Sequence, residues 1–390
     1  MSSGKSRTRL DNEIENEQLY SENGDGVITE PFNPKDVDII SQPMVIANIV
    51  EELKEGGNII LDPDFQRIPD LWDDQKQSRL IESLIIKIPL PTFYFDAGDN
   101  ENLIVVDGLQ RLYAIKRFIA LEKGDPKRLL LTGLEYLTEY NGYSFEELPS
   151  NIQKRIKAHV ITAYIIRPGT PDKVRTSIFT RINTGGLTLE PAEIKNSVYR
   201  GQAADLLKEL AHSNAFIHAT RGKIDTSRMM DCEFVNRFMA FFLLGVDLYA
   251  GNLEDFLNDA MIRLQKETSD TLEKCRKDFL KAMTYAYRIF GDTAFRKLNV
   301  NGRYGRINKP LYDAVSVNLA ILSEENCEIL VKKKEQLLWR YTELLKDTGF
   351  QDIITNGTAK VPNVLSRHSK IYELFQGVLA DDSLYADRKF

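Results

Sequence analysis

The stretch Val105–Phe118, "VVDGLQRLYAIKRF", decides the fold. An apolar run from Leu103 to Val106 stops at Asp107-Gly108. From Leu109 onward, the apolar positions Leu112, Ile115, Phe118 and Ile119 recur at helical spacing. A strand therefore passes into a helix across one carboxylate and one glycine. Such a turn presents unpaired N–H groups and the positive end of a helix dipole, which makes it a natural anion corner. Gly108 lets an anion approach the backbone. Arg111 offers forked donors suited to phosphate oxygens, and Gln110 a neutral donor. Asp107 can hold Mg²⁺ through water or simply fix the turn. On this motif alone an ordinary Asp-Gly turn followed by a solvated arginine stays open.

Working outward, "TFYF" and "NLIVV" flank the turn-rich "DAGDNEN" and read as a β-hairpin. "NIILD" reads as a short strand. "DDQKQSRLIESLIIKIPLP" reads as a helix with Leu80, Ile81, Leu84 and Ile85 on one face. Order is expected to begin at "SQPMVIANIVEELKEGG", a helix with Pro43 near its start and Val45, Ile46, Ile49, Val50 and Leu53 at helical spacing. "HVITAYII" follows as a strand, and "PDKVRTSIFTRI" and "EPAEIKNSVYRG" as helices around "NTGG". From about residue 200 the pattern is nearly all helical, including the amphipathic "LVKKKEQLLWRYTELLK", whose stripe of Leu337, Leu338, Tyr341 and Leu344 suits a core or a partner. The fold class expected is α+β, a small mixed α/β domain over residues 41–200 followed by an all-helical domain over 201–390. Residues 1–40, rich in Asn, Glu, Ser and Asp, read as a flexible acidic leader.

Composition narrows the function classes. A net charge of −6 argues against a chain that coats nucleic acid along its whole surface, while leaving room for a local basic groove. Cys232, Cys275 and Cys327 form no C-x-x-C pair and read as reduced, buried thiols. No stretch has the length and apolarity to cross a bilayer, so a soluble cytoplasmic protein is expected.

Two further segments carry arginines in loops. In "FQRIPDLWDDQKQSRLIESLI", Phe65 and Trp72 are packing anchors and Arg67 lies just after a strand. In "FTRINTGGLTLEPAEIKNS", Arg181 and Asn183 precede a Gly-Gly loop able to form an anion nest, or simply a helix C-cap. Glu193 and Asn196 sit on the next helix. Arg175, Arg181, Lys195 and Arg200 form a candidate basic patch.

Taken together and in order, these three segments resemble the N-terminal domain family of the GmrSD restriction enzymes, similar in fold to ParB and sulfiredoxin domains. The resemblance spans about residues 40–200 and continues faintly through Asp231, Glu233 and Arg237 on one helix. It implies a domain that binds and hydrolyses nucleoside triphosphates to power or gate DNA cleavage in defence against phage. Asp107, Gly108, Gln110 and Arg111 match the family's Asp-Gly-Gln-Gln-Arg signature, while Leu109 replaces its first glutamine. Asp107, Gln110 and Arg111 then become the catalytic candidates. Arg67, Gly108, Arg111, Arg181 and Asn183 become the phosphate-binding ones, with Asp107 and Glu193 as Mg²⁺ ligands. The four histidines (His159, His212, His218, His368) lack the pairing of an HNH nuclease, so a stand-alone member is expected, with any DNA cleavage done by a separate nuclease partner or by the triphosphate site itself. Alternatives are a DNA-binding or DNA-cleaving module that uses the same arginines without nucleotide turnover, and a catalytically dead scaffold. Self-association into a homo-oligomer is open.

Overall fold

The computed structural model of the chain describes Ile14, Glu15, Glu17, Leu19 and residues 34–54, 56–61, 72–97, 102–182, 199, 201–224, 226, 229–298 and 301–381. It divides into two compact units, Phe32–Val198 and Met1–Pro31 with Tyr199–Phe390.

The first unit is built on a five-stranded sheet in the order β1-β5-β3-β4-β2. Its strands are β1 (Ile39–Val45), β2 (Ile59–Ile60), β3 (Phe93–Asp96), β4 (Leu103–Asp107) and β5 (Val160–Ile166). β3 and β4 pair antiparallel, as the hairpin reading expects, with an irregularity between Tyr94 and Phe95. β5 runs parallel to β3 and antiparallel to β1, and β2 runs parallel to β4. The helices are α1 (Ile46–Glu52), α2 (Asp74–Ile85), α3 (Leu109–Ile115), α4 (Ser150–Lys157) and α5 (Asp172–Ile182). α3 runs straight on into a π-helical turn, Lys116–Ala120. Alternation along β3 sends Phe93 and Phe95 into one core with Val105, Ala163 and Ile165. Ile81, Leu84 and Ile85 of α2, Leu112 and Ile115 of α3, and Phe118 close that core from the helix side. At roughly 1.5–3 kcal/mol for each large apolar side chain taken fully out of water, this layer is the main driving force for the unit.

The expected helix from Ser41 is corrected. Ile39–Val45 is an edge strand, paired residue by residue with Ile166–Val160, and helix begins only at Ile46. Pro43 lacks an N–H to give a sheet ladder, and at an exposed edge position that loss costs little. The helical spacing from Val45 onward masked the extended residues before it.

α2 begins where Asp73 accepts a hydrogen bond from the Lys76 N–H at 2.8 Å. One turn before its end it carries a buried carboxylate. Glu82 is 3% exposed and accepts the backbone N–H groups of Glu135 at 3.0 Å, Tyr136 at 2.7 Å and Leu137 at 2.7 Å. Burial pushes its carboxyl up, and the three N–H donors with Arg79 more than offset that, holding it below its ordinary range. One side chain thereby pins the segment between α3 and α4 to the sheet's helical layer.

The second unit is mostly helical, centred on Lys309–Ile321, which is buried at every residue from Pro310 to Ala320. Asn308 caps it by accepting the Leu311 N–H at 2.9 Å, and Pro310 sits in its first turn, where no N–H is needed. Of the stripe on Lys334–Lys346, Leu337 and Tyr341 are buried and Leu338 and Leu344 half-buried, with Leu345 buried beside them. Cys232, Cys275 and Cys327 are buried free thiols, and burial pushes Cys327 up to about 11.

The unit is not all-helical. Arg296–Leu298 (β6) and Tyr304–Ile307 (β7) form an antiparallel ribbon whose turn holds Gly302 at φ +70°. Nor are all the leading residues a free tail. Ile14, Glu15, Glu17 and Leu19 lie against this unit: Ile14 pairs with Ile307, the Glu15 and Glu17 carboxylates meet Lys297 and the buried Arg237, and the Leu19 carbonyl accepts the Ala359 N–H. Among the described residues, no helix is long and apolar enough to cross a membrane.

Glu82→Ala leaves three inward N–H groups without their acceptor. A loss of about 2–3 kcal/mol is expected in denaturant unfolding, with faster amide exchange at Glu135–Leu137. Because the folded pKa lies below the unfolded one, this contribution is complete above the unfolded value and fades as pH falls through the folded one. Unchanged exchange at those amides would show that other contacts hold the segment.

The candidate nucleotide-facing corner

Asp107 is the last residue of β4, Gly108 the turn, and Leu109 the first residue of α3. Gly108 adopts φ +105° and ψ 8°, a left-handed conformation that L side chains enter at a cost. A Cβ there would lie 2.4 Å from Cδ1 of Phe93, so the glycine serves a close approach to the β3 ring.

Arg111, one turn further on, is 8% exposed. Its Nη2 donates to Asp107 Oδ2 at 2.5 Å and its Nη1 to the Pro91 carbonyl oxygen. The guanidinium centre lies 4.3 Å from the Phe93 ring centroid. Burial lowers the Arg111 pKa and Asp107 raises it, with a net lowering. The guanidinium stays charged, since even a lowered arginine titrates far above neutrality. Arg111 thus locks strand end, turn and first helical turn to the segment before β3. The Asp107 side chain remains 42% exposed, so its carboxylate faces solvent while bracing the arginine.

Leu109, where the resemblance expects a glutamine, is 6% exposed and belongs to the core. That position points inward, so the substitution adds packing. Gln110 is half-buried beside it. The solvent-facing group of the corner is the Asp107 carboxylate, while Gly108 is buried and the Gln110 Oε1 points inward.

The other expected residues divide. Arg181 is exposed in the last turn of α5. Arg67, Asn183, Glu193, Asn196, Lys195 and Arg200 lie outside the described residues. Arg175 does not face solvent as a patch member. Its Nη2 donates to Asp96, at the end of β3, and its Nη1 lies 3.4 Å from Asp172. Asp96 is completely buried, and sequence reasoning passed over it. The signal was a carboxylate closing the apolar strand "FYFD", the same arrangement as Asp107 closing "LIVVD". Among the described residues no group of three or more His, Cys, Asp or Glu could hold a metal ion. Asp107 has one oxygen engaged by Arg111, so it fits Mg²⁺ only as a single ligand, with phosphate oxygens and water supplying the rest.

The small mixed sheet of this α+β domain thus carries a β4–α3 turn that combines a solvent-facing carboxylate, a left-handed glycine and a buried arginine. Residues 46–200 match the family described as GmrSD restriction endonuclease, N-terminal domain. Residues 46–200 are thus a domain of that family, which points to a restriction-type defence system. No curated protein and no solved structure matches it.

Gly108→Ala and Gly124→Ala separate backbone strain from the Phe93 contact, since both glycines have φ above +100° but nothing lies within 4 Å of a Cβ at Gly124. Gly124→Ala is expected to cost about 1–2 kcal/mol from conformation alone. Gly108→Ala should cost clearly more in urea titration, and equal losses would remove Phe93 from the explanation.

Proposed function

We propose that the chain is a nucleoside-triphosphate-binding component of a restriction-type defence system and that it hydrolyses the nucleotide to gate action on DNA. The observation that carries this reading is the ordered Asp107-Gly108-x-x-Arg111 turn, held by the Arg111 fork within the matched domain. Phosphate oxygens meet the first-turn N–H groups of α3, where the helix dipole favours negative charge. Arg111 lies behind that turn and offsets charge that builds on the transferred phosphoryl group. Asp107 would hold a magnesium ion as one ligand, and the ion would supply charge neutralisation. Gln110 orients the attacking water or a phosphate oxygen. Arg67, Arg181 and Asn183 complete the phosphate contacts, and Glu193 is the second carboxylate for the ion. The DNA strand break falls to a separate nuclease, and the chain works in the cytoplasm.

Arg111→Ala is a poor probe, because the residue is built into the turn. Calorimetric titration of the unaltered chain with ATP, GTP, CTP and UTP, with and without Mg²⁺, is the direct test. At least one should bind, with Mg²⁺ dependence and preference for the triphosphate over the monophosphate. Gln110→Ala should weaken that nucleotide about five- to tenfold, the value of one hydrogen bond. If no nucleotide binds and duplex DNA binds with a steep salt dependence, the corner grips DNA phosphates and the nucleotide reading fails.

A further inference from the structure

Glu17 lies in an acidic stretch with Glu13 and Glu15, yet its side chain is only 7% exposed and engages a buried cation. Arg237 Nη1 donates to Glu17 Oε2 at 2.9 Å and Nη2 to Oε1 at 3.2 Å, a forked pair. Thr358 Oγ1 donates to Oε1 at 2.8 Å. Two residues earlier, Asn308 Nδ2 donates to Glu15 Oε2 at 3.0 Å, and Lys297 pairs with the same carboxylate. The backbone is read as well. Ile14 forms a parallel bridge with Ile307 of β7, the Glu15 N–H donates to the Ile307 carbonyl at 2.9 Å, and Leu19 accepts the Ala359 N–H at 3.0 Å. Ile14 itself is 4% exposed.

Charge balance indicates what the receiving groove requires. Arg237 also binds Asp313, with Nε to Oδ1 at 2.9 Å and Nη2 to Oδ2 at 2.5 Å. Arg367 lies 3.4 Å from Asp313 Oδ2, and Lys309 pairs with Glu233 at 2.8 Å. Arg237, Arg367 and Lys309 thus face Asp313, Glu233 and Glu17. Without Glu17 three cations face two carboxylates where almost no water enters, a state that strongly favours an incoming anion. Burial raises the Glu17 carboxyl, and Arg237, Lys309, Thr358 and Arg367 more than offset it, leaving it lowered. An edge strand beside such a hollow pairs with extended backbone as well as with one carboxylate.

We propose that the helical unit carries a binding groove for an extended acidic peptide segment of the pattern Ile-Glu-x-Glu, and that Ile14–Leu19 is its resident, exchangeable ligand. Main-chain pairing at Ile307, the last residue of β7, supplies affinity, and the Arg237–Thr358 hollow selects the second glutamate. This inference concerns residues separate from the Asp107 corner and stands or falls independently of nucleotide binding.

The test inserts a site-specific protease sequence between Leu19 and Pro34 of the full chain, cleaves it, and adds a fluorescent peptide, DNEIENEQLYS, corresponding to residues 11–21. The cleaved fragment should co-elute with the body at micromolar concentration and be displaced by the peptide, with the body remaining folded by circular dichroism. A peptide with lysine at the Glu17 position should bind about tenfold more weakly or worse, since one forked charge pair is lost. A fragment that leaves a folded body unable to take up peptide overturns the proposal. So does a fragment that never exchanges, or a body that unfolds once it leaves, because either makes the segment a fixed part of the core.

Discussion

The Arg111 guanidinium is the constraint on which the corner depends. It ties three pieces of chain to one plane: the end of β4 through Asp107, the segment before β3 through the Pro91 carbonyl, and the β3 ring of Phe93 beneath it. Phe93 in turn excludes any side chain at position 108, so the turn must take the left-handed route that only glycine enters freely. The first turn of α3 is therefore aimed before any ligand arrives. A pre-aimed set of N–H donors costs no reorganisation when charge appears in front of it, which is the main physical requirement of a polyphosphate site.

The helical unit uses the same principle with opposite exposure. Arg237 and Arg367 are sunk in its core and Lys309 is largely covered, each paired with a carboxylate from another helix or from the segment that contains Glu17. A buried ion pair adds little net stability over well-packed apolar residues, but removing one partner is costly. Such clusters act best as selectors of what sits beside them. The Asp107 corner leaves a carboxylate open to water, whereas the Arg237 cluster holds the Glu17 carboxylate largely out of it.

Much of the α+β unit was legible in the sequence because its signals are local. The hairpin of β3 and β4, helix α2 and the β4–α3 turn all follow from hydrophobic period and turn residues, and all stand in the structure. β1 was not legible, because strand pairing with β5 is a long-range fact and Pro43 argues against a strand unless the edge position is known. The role of Arg111 was half legible. Its place beside Asp107 follows from i, i+4 spacing, but its burial depends on Phe93 and Pro91 from another strand. Leu109 misled in the same way, since one letter does not tell whether a helix residue faces ligand or core. The docking of Ile14 and Glu17 was hidden by averaging composition over the whole leader, where two apolar side chains among many polar ones carry no weight. Arg67, Asn183 and Glu193 lie outside the described residues; of the arginines in the three motif segments, Arg111 is buried behind its turn and Arg181 is exposed on α5.

The central claim is that polyphosphate lands on the first turn of α3, in front of a brace already in place. Amide hydrogen exchange read by mass spectrometry, with and without Mg²⁺ and the nucleotide that binds most tightly, addresses it directly. Slowed exchange concentrated in peptides spanning Leu103–Phe118, and strongest at Leu109–Arg111, is the expected result. Tight nucleotide binding with exchange unchanged there and slowed elsewhere would contradict it.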